Sequence, residues 1–115
     1  SIASYQDPLL VATIFSAYNN AEMKDALVFG VCDQAEEPIK VNEFPFANQI
    51  RHEHIDPLMA KGPCWARHRL QNFYQGEDYF LQIDSHTQFS PDWDILFIES
   101  LLLLPANAMI FFIFF

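Results

Sequence analysis

Three short apolar runs in this chain stop abruptly at polar residues. Ser1 to Ser4 ends at Tyr5-Gln6-Asp7, LVFGVC at Asp33-Gln34, and YFLQI at Asp84-Ser85-His86. Between and around them lie stretches with helical spacing. Asp7 and Pro8 suit the start of a helix, and Leu9, Leu10, Thr13, Ile14 and Ala17 then recur up to Asn19-Asn20. Ala35 to Gln49 has no clear period and reads as an acidic loop or insertion, and IRHEHI at Ile50 to Ile55 alternates like a strand. Gly62-Pro63 opens a helix through Tyr74 with Trp65, Leu70 and Phe73 facing inward. Tyr79 to Ile83 is a further strand, and Ser90-Pro91 caps a helix from Asp92 to about Leu104. After a Pro-Ala-Asn break, Met109 to Phe115 reads as a last strand. This order predicts an α/β fold: a mostly parallel, Rossmann-like sheet with helices on both faces. In such sheets ligands bind beyond the carboxyl ends of the strands, where the three polar stops fall.

The chain has 115 residues, enough for one domain. It starts directly inside an apolar strand, and MIFFIFF would be an exposed aromatic strand if nothing covered it, so the domain is expected to be incomplete at both ends. Six Lys and Arg against 15 Asp and Glu give a net charge of −9, which disfavours nucleic acid and anionic membrane surfaces. A divalent cation and a few backbone amides would still permit local nucleotide binding. Two cysteines, Cys32 and Cys64, are too few for a secreted disulfide scaffold and favour a reduced, intracellular protein. The apolar stretch Ile95 to Phe115 carries Glu99, Pro105 and Asn107, and reads as helix, break and strand rather than a membrane span. Neither Gly-x-Gly-x-x-Gly nor Gly-x-x-x-x-Gly-Lys occurs.

Asp84 and His86, two residues apart, would project to the same side of an extended backbone, with Ser85 pointing away. A carboxylate and an imidazole suit manganese or a similar divalent cation, with diphosphate oxygens and water completing the shell. Taken alone, an Asp-x-His triplet is more often a polar turn. A second cluster, His52 and His54 with Cys64 and His68, would serve a structural zinc in a non-catalytic protein-binding module, although its spacing departs from usual zinc ligand pairs. Arg67, Arg69 and Lys61 lie near a helix start that attracts anions. Asp92 and Asp94 suit a helix dipole without any chemistry, and Trp65 and Trp93 read as core anchors.

The stretches SIASYQDP, FGVCDQ and KGPCWARHRLQNFYQGEDYFLQIDSHTQFSPDWD, in this order, closely resemble the polypeptide hydroxyproline N-acetylglucosaminyltransferase family. The resemblance leaves out the Ala35 to Gln49 loop and the C-terminal end. The triplet Asp84-Ser85-His86 is also similar to the metal motif of mucin-type polypeptide N-acetylgalactosaminyltransferases, which stands in for the Asp-x-Asp of other GT-A enzymes. The resemblance implies a GT-A fold and a cytoplasmic, metal-dependent, retaining enzyme that moves N-acetylglucosamine from UDP-GlcNAc to a hydroxyproline-containing polypeptide. By position, it makes Asp84 and His86 manganese ligands and places Ser4, Tyr5 and Asp7 along the uridine. Arg67 approaches the nucleotide, with Asp33 and Gln34 as further donor-site candidates. Family members continue past the Asp-Ser-His strand, so this stretch is expected to hold the donor half of the site and to be inactive alone.

Overall fold

Phe29 to Gln34 is buried at almost every position, the pattern of a strand covered on both faces. In the computed structural model, which describes residues 1–105, it forms the second strand of a four-stranded sheet. The strands are β1 (Ile2–Tyr5), β2 (Phe29–Gln34), β3 (Ile50–Ile55) and β4 (Ile83–Asp84). All pairings are parallel, in the order β3-β2-β1-β4, so the predicted α/β class holds. Three helices accompany them: α1 (Leu10–Asn20), α2 (Pro63–Leu70) and α3 (Trp93–Leu102).

The two faces are covered differently. Leu10, Ile14 and Ala17 of α1 pack with Ile2, Phe29, Val31, Ile50 and Ile83 of the sheet. Each of the larger side chains among these, fully buried, stabilises by about 2 kcal/mol. Residues 35–49 complete this face. As read, they contain only single helical turns, but they are no mere insertion: Phe44 and Phe46 are core. Phe44 stacks on Phe15 at 4.9 Å and Phe46 on Tyr18 at 3.7 Å. On the other face, Ala66 and Leu70 of α2 pack on Cys32 and Ala3. Gly62, at φ 90°, adopts a conformation suited to glycine and sets Pro63 in the first turn of α2.

Several element boundaries differ from the sequence reading: α1 begins at Leu10 rather than at Pro8, and α2 ends at Leu70, followed by a single tighter turn over Gln71–Phe73. The strand expected over Tyr79 to Ile83 is reduced to Ile83–Asp84, because β4 pairs with β1 from Ile2 onward. Upstream, Tyr79 and Phe80 stay exposed, and the segment is tied down by Arg51, which bonds Phe73 O and Glu77. α3 starts at Trp93 rather than after a Ser90 cap: Asp92 is left-handed, at φ 59°, and makes no side-chain cap. The strand expected at Met109 to Phe115 lies outside the described residues. No described helix is long and apolar enough to cross a membrane.

The topology fixes where a ligand belongs. From β1 the chain steps outward to β2 and β3, then returns through α2 to β4 on the far side of β1. The strand order therefore reverses between β1 and β4, and the crevice beyond their carboxyl ends is the switch point at which open α/β sheets bind ligands.

Candidate functional site

Asp7 leaves β1 and Asp84-Ser85-His86 leaves β4, and the switch point brings them together. The Ser85 hydroxyl donates to Asp7 Oδ2 at 2.6 Å, and His86 Nδ1 lies 2.9 Å from the same oxygen. The other oxygen, Oδ1, accepts from Leu9 N at 2.9 Å in a turn ahead of α1; Asp7 is not the expected cap, since Leu9 holds that position and has no side-chain cap bond. Ser85 does not point away from the site. It is buried, because the chain turns after Asp84 instead of continuing as a strand. The two-residue spacing is therefore not that of an extended strand: past the turn His86 meets Asp7, while Asp84 pairs with Arg67.

α1 holds that turn from below, through residues that apolar periodicity alone marks only as helix. Thr13 Oγ1 donates to Ser85 O at 2.7 Å and accepts from Thr87 N at 3.0 Å. Ser16 Oγ accepts from Phe89 N. The downstream Phe89, Trp93 and Asp94 are fastenings of α3. Trp93 packs on Phe89 and donates its indole N–H to Ala17 O, while the Asp94 carboxylate accepts from Glu22 N and Met23 N. Burial alone would raise the Asp94 pKa, but these N–H groups hold it below 3.8.

The carboxylate of Asp84 is open to solvent, its side chain 63% exposed, and one oxygen, Oδ1, accepts from Arg67 Nη2 at 3.2 Å. The His86 side chain is 61% exposed beyond its bond to Asp7. That hydrogen bond raises the imidazole pKa above 6.5 against a smaller desolvation, with the charges of Asp7 and Asp84 adding to it. Asp7 is affected in the opposite sense. Burial pushes it up, and the Ser85 hydroxyl, Leu9 N–H and His86 together bring it below 3.8.

The other sequence candidates sit around this centre unequally. Tyr5 is exposed at the rim. Ser4 is buried and its Oγ has no hydrogen-bond partner among the described residues, as is true of Gln34 Oε1 and Arg67 Nε. Asp33 is spent elsewhere: its Oδ2 accepts from Ile39 N at 2.8 Å and faces His52 Nε2 at 3.2 Å, which anchors the start of the 35–49 segment. The zinc cluster does not assemble. His52 and His54 stand on the β3 face turned toward Asp33 and Ala35, whereas α2, with Cys64 and His68, packs on the opposite face through Ala66, and Arg69 bonds Glu53 there. Cys64 is free and exposed, Cys32 free and buried.

The donor set fits a divalent cation that brings its own ligands. Asp84 offers a carboxylate oxygen and His86 a second ring nitrogen, both at an exposed rim. Among the described residues no three His, Cys, Asp or Glu side chains converge as a complete metal cage. Two protein ligands there would leave room for phosphate oxygens and water.

An open parallel sheet with its polar groups gathered at the topological switch point defines a ligand-binding α/β domain of the nucleotide-binding kind. The family model described as Glycosyltransferase (GlcNAc) matches residues 36–111, about two thirds of the chain, and the chain belongs to that family of N-acetylglucosamine glycosyltransferases. The match takes in the 35–49 segment almost entirely, together with Arg67, Asp84 and His86. No curated protein and no solved structure matches the chain. A glycosyltransferase of this family works on a nucleotide-sugar donor and an acceptor.

Proposed function

We propose that this chain forms the donor half of a metal-dependent, retaining transferase that takes N-acetylglucosamine from UDP-GlcNAc, with a hydroxyproline-containing polypeptide as acceptor, in the cytoplasm. The observation that carries this reading is the convergence of Asp7, Asp84, Ser85 and His86 at the β1/β4 switch point, with Arg67 on Asp84. Asp84 and His86 would hold manganese or a similar divalent cation. Bound there, the cation supplies positive charge to the diphosphate as it leaves.

The remaining roles belong to the protein's own groups. Arg67 bridges Asp84 and a diphosphate oxygen, since a guanidinium carries five N–H donors and one of them serves Asp84. Tyr5, exposed at the end of β1, stands along the uridine, with Ser4 beneath it. Asp33 contributes by shaping the β2 end of that wall. Free Cys32 and Cys64 and the net charge of −9 are consistent with a reduced cytoplasmic setting, away from anionic surfaces.

Calorimetric titration of UDP tests the reading. Affinity should rise at least ~10-fold with manganese, a gain of about 1.4 kcal/mol, and Asp84→Asn should abolish that gain. Equal affinity with and without manganese would remove the metal from the account.

A further inference from the structure

The family resemblance implies a place along the uridine for Asp7, yet its carboxylate is committed inside the protein. Oδ1 takes Leu9 N, and Oδ2 takes both the Ser85 hydroxyl and His86 Nδ1. We propose that Asp7 is a positioning residue that holds His86 as the Nδ1–H tautomer and so presents Nε2 to the divalent cation; this rests on the metal reading above.

An ionised carboxylate has no proton to give, so the hydrogen in the 2.9 Å contact with His86 Nδ1 comes from the ring. A neutral imidazole protonated on Nδ1 has its lone pair on Nε2, the only nitrogen then able to ligate. The anchor itself is rigid. Asp7 O accepts from Leu10 N, the parallel register Ile2↔Ile83 fixes how far β1 and β4 stand apart, and Thr13 clamps the turn between Ser85 and Thr87. Ser85 binds the same oxygen, so Asp7 gathers the second and third residues of the triplet onto one acceptor. Asp84 is left outside that bond, paired with Arg67.

The test combines two readouts on the full 115-residue chain. Two-bond nitrogen–proton NMR of labelled histidine, in the neutral-imidazole range, reports the His86 tautomer directly. Titration of UDP with and without manganese reports the metal. In the parent chain His86 should carry its proton on Nδ1. Asp7→Asn keeps an oxygen for Leu9 N but sets an amide N–H opposite Nδ1, which should drive the proton to Nε2. Manganese affinity in the presence of UDP should then fall about 10- to 100-fold, the usual cost of losing an outer carboxylate partner of a metal-bound histidine, and the manganese-dependent gain in UDP affinity should shrink with it. Ser85→Ala leaves the Asp7–His86 bond in place and should keep the parent tautomer.

A parent chain with the Nε2–H form overturns the proposal without recourse to any variant. So does an Asp7→Asn protein that retains the full manganese gain, and in that case the metal reading stands. Absence of any manganese gain in the parent chain instead sinks the metal reading and this proposal together.

Discussion

The carboxyl edge of the sheet holds two Asp–His pairs, and they have opposite fates. At the β2/β3 end, Asp33 and His52 meet at 3.2 Å with side chains only 3% and 16% exposed, and Ile39 N shares the carboxylate. At the β1/β4 end, Asp7 and His86 meet at 2.9 Å with the imidazole side chain 61% exposed. The residue types are the same, and burial separates the roles. The first pair is largely enclosed and fastens a loop to the sheet. The second presents an imidazole outward at the point where the strand order reverses, beside an exposed carboxylate. An Asp–His contact is a ligand site only where one ring nitrogen still faces something other than protein.

The comparison can be broken first through stability. Asp33→Ala leaves the partly buried Ile39 N–H and a histidine without their acceptor and should cost about 3 kcal/mol in urea unfolding, with Asp7→Ala costing about half of that. Equal losses would erase the distinction between the two pairs. The second pair of variants separates them by binding. His86→Ala should remove the manganese-dependent gain in UDP affinity, a loss of about 10- to 100-fold, while His52→Ala retains it. A smaller effect concerns Asp94, whose carboxylate ties α3 to the end of α1. Its pKa is below 3.8 in the folded chain despite burial, because backbone N–H groups favour the ionised form. Its contribution is therefore complete above the unfolded value and is lost as pH falls through the lower folded value. Asp94→Ala should cost about 1.5 kcal/mol at neutral pH and flatten the acid limb of the stability profile. The smallest effect is expected at Cys64, exposed and unpaired, where Cys64→Ser should change stability by less than about 0.5 kcal/mol.

The sheet was legible because β2 and β3 carry their own signals: a continuous apolar run for a strand covered on both faces, and an alternating one at the edge. β4 was overread, since the run Tyr79 to Ile83, apolar except for Gln82, looks like a strand whatever its partner. Only the register with β1 reveals that, of these, Ile83 alone has a ladder to join. Phe44 and Phe46 escaped notice for a related reason: an irregular segment has no period, and their burial arises from Phe15 and Tyr18 on a distant helix. At the site, Asp84, His86 and Arg67 could be named from motif and strand-end position. The bond from Ser85 to Asp7 joins residues 78 apart in sequence, and Thr13 clamps the turn from inside a helix. Neither relation leaves a local trace. Asp33 and Asp7 both ended strands, and nothing in sequence distinguishes the carboxylate that a loop consumes from the one that turns a histidine outward.

Paramagnetic broadening locates the cation without relying on any variant. With UDP present, small additions of manganese to the labelled chain should broaden the amide and ring resonances of Asp84, Ser85 and His86 first, with Asp7 close behind and His52 and His54 spared. Broadening centred on Asp33, His52 and His54, or spread evenly over the acidic surface, would contradict a metal-binding switch point between β1 and β4.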